Sequence, residues 1–271
     1  MRSIKTYIDI LCQKGLYYAF RETWRNLSPH SYTRCQLRYL REHYGQFIRF
    51  YPDAQSEVPS VIWVFWLQGI EAAPQLVQDC IRQMKKWAVG YDVRVVTAEN
   101  MANYVEIPDY IMQKLKDGII TYTHFSDILR IFLLAKHGGI WMDSTVLLTG
   151  PIPAYVTEGP LFFFQSPRAS GNLHAGSSWL IAAGPHHPVV ENVVTLLSRY
   201  WEREMKLRDY FLFHDFVTMV AQDSEQGRKA MQQMPYVSNV LPHTYTSDSF
   251  TAMPIHKLSY KHAIDYHLYI Q

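Results

Sequence analysis

The sequence has few cysteines, no long apolar run and almost no excess charge, and each shortage excludes a class of protein. Cys12, Cys35 and Cys80 are too few and too scattered for a cysteine-based metal site, and their odd number leaves at least one unpaired. We therefore expect a reducing compartment. The apolar run at residues 61–67 falls far short of the roughly 20 residues that span a bilayer, and no signal peptide is evident. These features predict a cytoplasmic protein, either soluble or peripheral to a membrane.

Charge is balanced overall but not along the chain. The sequence holds 26 Lys and Arg against 24 Asp and Glu, whereas residues 1–50 hold nine basic and three acidic residues. A nearly neutral body excludes a general nucleic-acid binder, whose domain would be basic throughout. The basic N-terminal end suits contact with an anionic surface. An apolar content of 48% is enough for a packed core and excludes a disordered chain.

Residues 1–51 form a candidate basic, amphipathic helical extension. Two helices are expected, separated by a break at residues 26–31 that contains Pro29. The second stretch carries Arg34, Arg38, Arg41 and Arg49. Such a face could lie on the anionic inner surface of the cell membrane. The alternative is a helical cap that packs on the domain and leaves its arginines in water.

Residues 58–271 form a candidate α/β domain with a mostly parallel central sheet flanked by helices. The apolar run from residue 61 is typical of a strand covered on both faces, and Pro74 opens a helix that ends near Ala88. A second strand at residues 92–97 and a short helix after Pro108 repeat this alternation. Further helices are expected from Thr123 and over residues 188–206 and 211–222, further strands over residues 140–142, 161–164 and 179–183, and an irregular tail after Pro235.

The densest set of candidate functional residues lies between His124 and Thr145. Asp127 and Arg130 are three residues apart and therefore share a helix face. Asp143 follows the strand over residues 140–142, and ligands of open α/β sheets bind beyond the carboxyl ends of strands. Taken singly, the first two residues could be a surface ion pair and Asp143 could only begin a turn.

Two motifs in this region resemble those of the capsular polysaccharide synthesis proteins, bacterial sugar transferases related to the yeast initiating α-mannosyltransferases and the glucosylating clostridial toxins. The motifs are Ser126-Asp127-Ile128-Leu129-Arg130 and Gly138-Gly139-Ile140-Trp141-Met142-Asp143. Further segments of the chain are similar to that family, and together they cover roughly residues 58–262. These segments are Phe65-Trp66-Leu67-Gln68-Gly69, Ser177-Ser178-Trp179, Phe211-Leu212-Phe213-His214 and His256-Lys257-Leu258-Ser259-Tyr260-Lys261.

The resemblance implies a GT-A fold, a nucleotide-sugar donor with UDP as the expected nucleotide, and transfer with retention of anomeric configuration. It implies that Asp127, Arg130 and Asp143 are the catalytic residues, which hold the donor sugar, its diphosphate and the ribose. Trp66 would stack on the base. The other implied donor-binding residues are Gln68, Gly69, Gly139, Ser144, Lys257 and Lys261.

The chain departs from the family pattern at Thr145, where most relatives carry a second carboxylate of an Asp-x-Asp motif. The family implies Mn²⁺ or Mg²⁺ on the diphosphate, because hard cations prefer oxygen ligands. The expected metal ligands are Asp143, Thr145 and His256. A hydroxyl is a weaker, neutral ligand, so the ion could bind weakly, or Lys257 and Lys261 could supply the positive charge instead.

The expected acceptor is a glycan or a lipid-linked oligosaccharide that grows into a capsule, an exopolysaccharide or a lipopolysaccharide. Ser178, Trp179 and His214 are the candidate acceptor-side residues, although Trp179 could belong to the core and His214 could be a buried hydrogen-bonding group. An alternative function is that of a protein that binds a sugar nucleotide but has no turnover, because Thr145 replaces the second carboxylate of the metal motif. A dinucleotide-dependent oxidoreductase is disfavoured, because the loop after the first strand has one glycine where that class needs three.

Overall fold

The computed structural model describes residues 16–52, 57–167, 170, 172–260 and 265–270. The helical stretch expected before residue 15 and the candidate donor ligand Lys261 lie outside these residues. Among the described residues, no helix combines the length and the apolar character needed to cross a bilayer.

Five strands form the central sheet, and four of them run in the same direction. The described residues contain seven strands in two sheets: β1 (Val61–Phe65), β2 (Asp92–Val96), β3 (Gly139–Met142), β4 (Val146–Leu148), β5 (Leu161–Gln165), β6 (Gly176–Ala183) and β7 (Ile255–Lys257). The central sheet has the order β2-β1-β3-β6-β5. Strand β1 pairs in parallel with β2 and β3, whereas β6 is antiparallel to both β3 and β5. The expected mostly parallel sheet is therefore confirmed.

Helices flank this sheet and follow the apolar spacing of the sequence. They are α1 (Leu16–Leu27), α2 (Pro29–Tyr44), α3 (Gln75–Trp87), α4 (Asp109–Lys116), α5 (Tyr122–His137), α6 (Pro188–Arg203), α7 (Leu212–Asp223), α8 (Glu225–Gln233) and α9 (Ser247–Ala252). Helix α5 begins where the Thr121 hydroxyl accepts a hydrogen bond from the His124 backbone N–H. Its stripe of Phe125, Ile128 and Leu129 is fully buried, so the apolar period fixes which face meets the sheet.

The second helix of the N-terminal extension packs on the α/β domain. Leu37, Leu40 and Tyr44 of α2 belong to the same apolar core as the central sheet. The Tyr44 hydroxyl donates to Glu204, and Arg41 forms an ion pair of 2.7 Å with Asp223. This helix is therefore a cap whose apolar face is buried in that core.

A second, two-stranded antiparallel sheet joins β4 to β7. The tail after Pro235, expected to be irregular, contains β7 and α9, and α8 was also absent from the sequence-based expectation. Strands of three residues carry too little periodicity to be recognised, and the partner of β4 lies more than 100 residues further along the chain. This pairing places Lys257 beside Val146, next to Thr145.

Candidate active site

A cavity of about 380 Å³ opens where β1 and β3 end, a volume typical of a small-molecule site. It lies beyond the carboxyl ends of these parallel strands, as open α/β sheets lead one to expect. Most of the site residues expected from the sequence line it: Trp66, Gln68, Asp127, Arg130, Asp143, Ser144, Thr145, Ser178, His214 and Lys257.

Four charged side chains form a continuous row along the cavity. Arg130 donates to Asp127 through Nη1 and to Asp143 Oδ1 through Nη2, the latter at 2.8 Å. The other carboxylate oxygen of Asp143 lies 3.3 Å from Lys257 Nζ. Lys257 Nζ also donates to the Thr145 hydroxyl at 2.5 Å. Two carboxylates and two cations thus alternate, and together they sum to no net charge.

Both carboxylates stay ionised because of this row. Burial alone would raise the pKa of Asp127, but the Arg130 guanidinium and His124 outweigh it and hold that pKa below its usual range. Burial also acts to raise the pKa of Asp143, and Lys257, Arg130 and the hydrogen bond from Trp141 together lower it. The cavity therefore presents fixed charges of both signs at neutral pH.

His124, a residue that the sequence analysis did not single out, faces the free side of Asp127. The Trp201 indole N–H donates to His124 Nε2 at 3.1 Å, so the proton of the neutral ring resides on Nδ1. That Nδ1 lies 3.6 Å from Asp127 Oδ2. Trp201 therefore sets the tautomer that points an N–H at the carboxylate.

Aromatic rings support the charged row. The Trp141 indole N–H donates to Asp143 Oδ1 at 2.9 Å, and the Arg130 guanidinium lies 4.9 Å from the centre of the Trp141 ring. Residues 141 and 143 are two apart around a strand end, so period-two alternation was the signal that could have identified Trp141. On the opposite wall, the buried Trp66 indole N–H has no partner among the described residues. An orphaned donor of this kind is available to a ligand.

Four expected site residues do not line the cavity: Gly69, Gly139, Trp179 and His256. Gly139 has a φ of +97°, and a Cβ there would meet Val61 at 2.5 Å, so this glycine serves the close packing of β1 against β3. The Trp179 ring stacks on Phe164 at 4.6 Å in the core, and only its backbone carbonyl acts near the site, by accepting a hydrogen bond from the Asp143 N–H. The sequence-based assignments of these two residues to donor and acceptor are corrected accordingly.

His256 also lies away from the cavity, because neighbours in a strand point to opposite faces. Lys257 enters the cavity, whereas the His256 ring stacks on Phe250 at 4.0 Å in a small separate core. Burial lowers the pKa of His256 to about 4. It is therefore a core histidine and not a metal ligand of this site. Gly69 has a φ of +85° and ends the loop that carries Trp66 and Gln68 without lining the cavity.

The residues present do not fit a divalent cation well. Asp143 Oδ1 already accepts two hydrogen bonds, and the Lys257 ammonium faces Oδ2 and Thr145. A double positive charge about 4 Å from that ammonium would be repelled by roughly 8 kcal/mol at an effective dielectric constant of about 20. Within the described residues, no three His, Cys, Asp or Glu side chains cluster as a metal centre.

A second cavity of about 430 Å³ is lined by sequence neighbours of residues that line the first. His214 and Tyr210 line the first cavity, and their sequence neighbours Asp215 and Phe211 line the second. His174 Nε2 donates to the buried Asp215 carboxylate at 3.0 Å, and its ring lies 5.6 Å from the His214 ring. Burial lowers the pKa of His214 to about 4, so its ring is neutral between the two cavities.

Comparisons with known proteins identify relatives of this chain. The model of the capsular polysaccharide synthesis protein family matches residues 18–267. An uncharacterized glycosyltransferase of Acanthamoeba polyphaga mimivirus is 23% identical over 139 residues, 50% of this chain and 54% of that protein. Subversion of eukaryotic traffic protein A of Legionella pneumophila is 27% identical over 174 residues, 64% of this chain and 25% of that protein.

Among solved structures, the PaToxG glycosyltransferase aligns with a TM-score of 0.42 and 13% identity, over 75% of this chain and 84% of that chain. The chain thus spans about half of the viral relative and about a quarter of the Legionella protein.

Proposed function

The chain belongs to the capsular polysaccharide synthesis protein family, and we propose that it is a glycosyltransferase with a nucleoside-diphosphate sugar as donor. UDP is the expected nucleotide, and a growing cell-surface glycan is the expected acceptor. The viral relative named as a glycosyltransferase supports the reaction class.

The observation that carries this proposal is the charged row of Asp127, Arg130, Asp143 and Lys257 in one cavity. Breaking a bond between a sugar and a diphosphate leaves negative charge on the phosphate and positive charge on the sugar ring. A catalyst therefore needs cations at one end and carboxylates at the other. Both kinds of group are present here, and they are fixed in place before any substrate binds.

We propose transfer with retention, with departure and attack on the same face of the sugar. The bond from the anomeric carbon to the phosphate oxygen breaks, and its electron pair stays with the phosphate. The acceptor oxygen bonds to the anomeric carbon, and its proton goes to the departing phosphate. Asp127 and Arg130 orient the sugar, so the protein acts by positioning and electrostatics.

The donor and the reaction are tested together with a panel of UDP-sugars and GDP-sugars. A bound donor raises the thermal unfolding midpoint by mass action, and slow hydrolysis releases the nucleoside diphosphate. A catalyst shows both effects for the same sugar nucleotide. A midpoint shift without any release of nucleotide would favour the alternative, a sugar-nucleotide-binding protein without turnover.

We propose that the second cavity takes the acceptor glycan. It offers an aromatic ring in Phe211 and polar groups in His174 and Asp215, the chemistry that stacks on sugar rings and binds their hydroxyls. Phe211→Ala should lower sugar transfer to an extract of cell-envelope glycans while sparing hydrolysis of the donor. Equal losses in transfer and hydrolysis would contradict an acceptor role.

Contact with an anionic membrane is proposed for the exposed arginines of α2. Since Leu37 and Leu40 of this helix are in the core, point variants are a cleaner test than removal of residues 1–51. Arg34→Gln/Arg38→Gln should weaken co-sedimentation with vesicles of phosphatidylglycerol by about thirtyfold, at about 1 kcal/mol per charge. Lys85→Gln/Lys116→Gln removes two charges from other helices and is the matched control. Equal binding by the two double variants would refute the proposal.

A further inference from the structure

We infer that the Lys257 ammonium, held on Asp143 and Thr145, binds the donor diphosphate in the place that a divalent cation takes in an Asp-x-Asp site. This inference rests on the proposed nucleotide-sugar donor and adds that binding of the donor is independent of metal. Its basis is the position of one atom: Lys257 Nζ is 2.5 Å from Thr145 Oγ1 and 3.3 Å from Asp143 Oδ2.

Replacing a divalent cation and one carboxylate by a lysine ammonium and a threonine conserves the net charge of the site. Two carboxylates and one divalent cation sum to zero, and one carboxylate and one ammonium also sum to zero. Thr145 removes one negative charge from the motif, and Lys257 supplies a single positive charge where the second carboxylate is missing. A diphosphate therefore meets the same net charge next to Asp143 by either arrangement.

The fold holds this ammonium in place. Lys257 is paired with Val146 across the two-stranded sheet, and the Leu258 N–H donates to the Thr145 carbonyl at 2.9 Å. The Tyr245 hydroxyl donates to the Lys257 carbonyl and fixes the same strand from its other side. The backbone of β7 thus keeps the lysine beside the strand end that carries Asp143.

Lys257 is also the more available of the two cations in the row. The Arg130 side chain is 3% exposed and is bonded to both carboxylates, whereas the Lys257 side chain is 19% exposed. An ammonium has three N–H donors, and among the described residues the Lys257 ammonium bonds or pairs only with Thr145 and Asp143. At least one donor is left for a phosphate oxygen.

The test measures binding of UDP, GDP and ADP to the full chain by calorimetry, once in excess EDTA and once in excess Mn²⁺. We expect one nucleotide to bind the wild-type protein with affinities that agree within about threefold in the two buffers, since the charge is built into the chain. In EDTA, Lys257→Met should weaken binding by roughly 10- to 100-fold, the loss of one charge-assisted hydrogen bond. Lys136→Met, on the exposed face of α5, is the matched control and should bind as wild type.

The outcomes separate this inference from the proposed function. Nucleotide binding that requires Mn²⁺, or a Lys257→Met protein that binds as wild type in EDTA, would overturn the inference and leave the glycosyltransferase proposal intact. A wild-type protein that binds no nucleotide in either buffer would refute the donor itself.

A double variant tests the charge argument from the other direction. Thr145→Asp/Lys257→Met restores two carboxylates and removes the ammonium, so its nucleotide binding should become dependent on Mn²⁺. The same affinity with and without Mn²⁺ in this variant would contradict the exchange of an ammonium for a metal. The buffer comparison on the wild-type protein needs no variant and stands even if a substitution impairs folding.

Discussion

The two walls of the donor cavity hold their charges in different ways. On the wall built by α5 and β3, Arg130 is buried and bonded to two carboxylates, with Trp141 against its face. On the wall built by the two-stranded sheet, Lys257 is more exposed and contacts one carboxylate and one hydroxyl. The first wall is a closed network that fixes geometry, whereas the second offers a cation with a donor to spare.

Asp143 is the residue at which the two walls meet, and its loss should have the largest effect. Asp143→Asn keeps the shape but removes the charge that holds both Arg130 and Lys257. We expect hydrolysis of the donor to fall by about 10² to 10³-fold, the size seen when one fixed electrostatic group of a catalytic site is removed. The rate of nucleotide release under saturating donor measures this.

Glu106→Gln removes an exposed carboxylate remote from the cavity and is the control for this experiment. Thermal unfolding of both variants shows whether the fold survives. An Asp143→Asn protein that hydrolyses the donor as fast as the control would contradict the role of Asp143 as the residue that connects the two walls.

The two faces of β7 offer a second comparison, because His256 and Lys257 are neighbours with opposite environments. The pKa of His256 is about 4 in the folded protein, whereas a histidine in an unfolded chain has an ordinary pKa of 6.5. The unfolded chain therefore binds more protons between these pH values, and the free energy of unfolding falls as the pH drops from 6.5 to 4. His256 contributes at most about 3 kcal/mol to this loss.

His256→Leu cannot titrate, so its stability should depend less on pH over that window. Urea unfolding at pH 7.5 and pH 4.5 measures the difference, and the wild-type protein should lose more stability than the variant between the two values. His214 also has a pKa lowered by burial and keeps part of the dependence in both proteins. Identical pH dependence in the two proteins would mean that the pKa of His256 is the same in the folded protein as in the unfolded chain.

The wall built by α5 and β3 was predictable from the sequence, and the wall built by the two-stranded sheet was not. Asp127, Arg130 and Asp143 lie within 17 consecutive residues, so helix periodicity and the rule on strand ends were enough to bring them together. The proximity of Thr145 and Lys257 depends on β4 and β7, two three-residue strands separated by more than 100 residues. No local pattern records such a pairing.

The errors in the sequence-based site have the same origin. Trp179 and His256 belong to segments that are similar to the family, and similarity of a segment does not say which side chains face the cavity. Alternation within a strand decides it: Ser178 and Lys257 line the cavity, and their neighbours Trp179 and His256 are buried behind it. The register of β6 and β7, which the sequence does not reveal, was the missing information.

A smaller effect is expected behind the first wall, where His124 positions Asp127. His124→Leu removes the N–H that lies 3.6 Å from the carboxylate, and the rate of donor hydrolysis should fall by about threefold, the value of a weak electrostatic contact. His124→Asn places an amide N–H close to the position of Nδ1 and should recover most of that rate. KM for the donor should change little in either variant, because Arg130 still holds Asp127. Equal rates in the Leu and Asn variants would show that His124 only fills space beside Trp201, and the closed network of this wall would then end at Asp127.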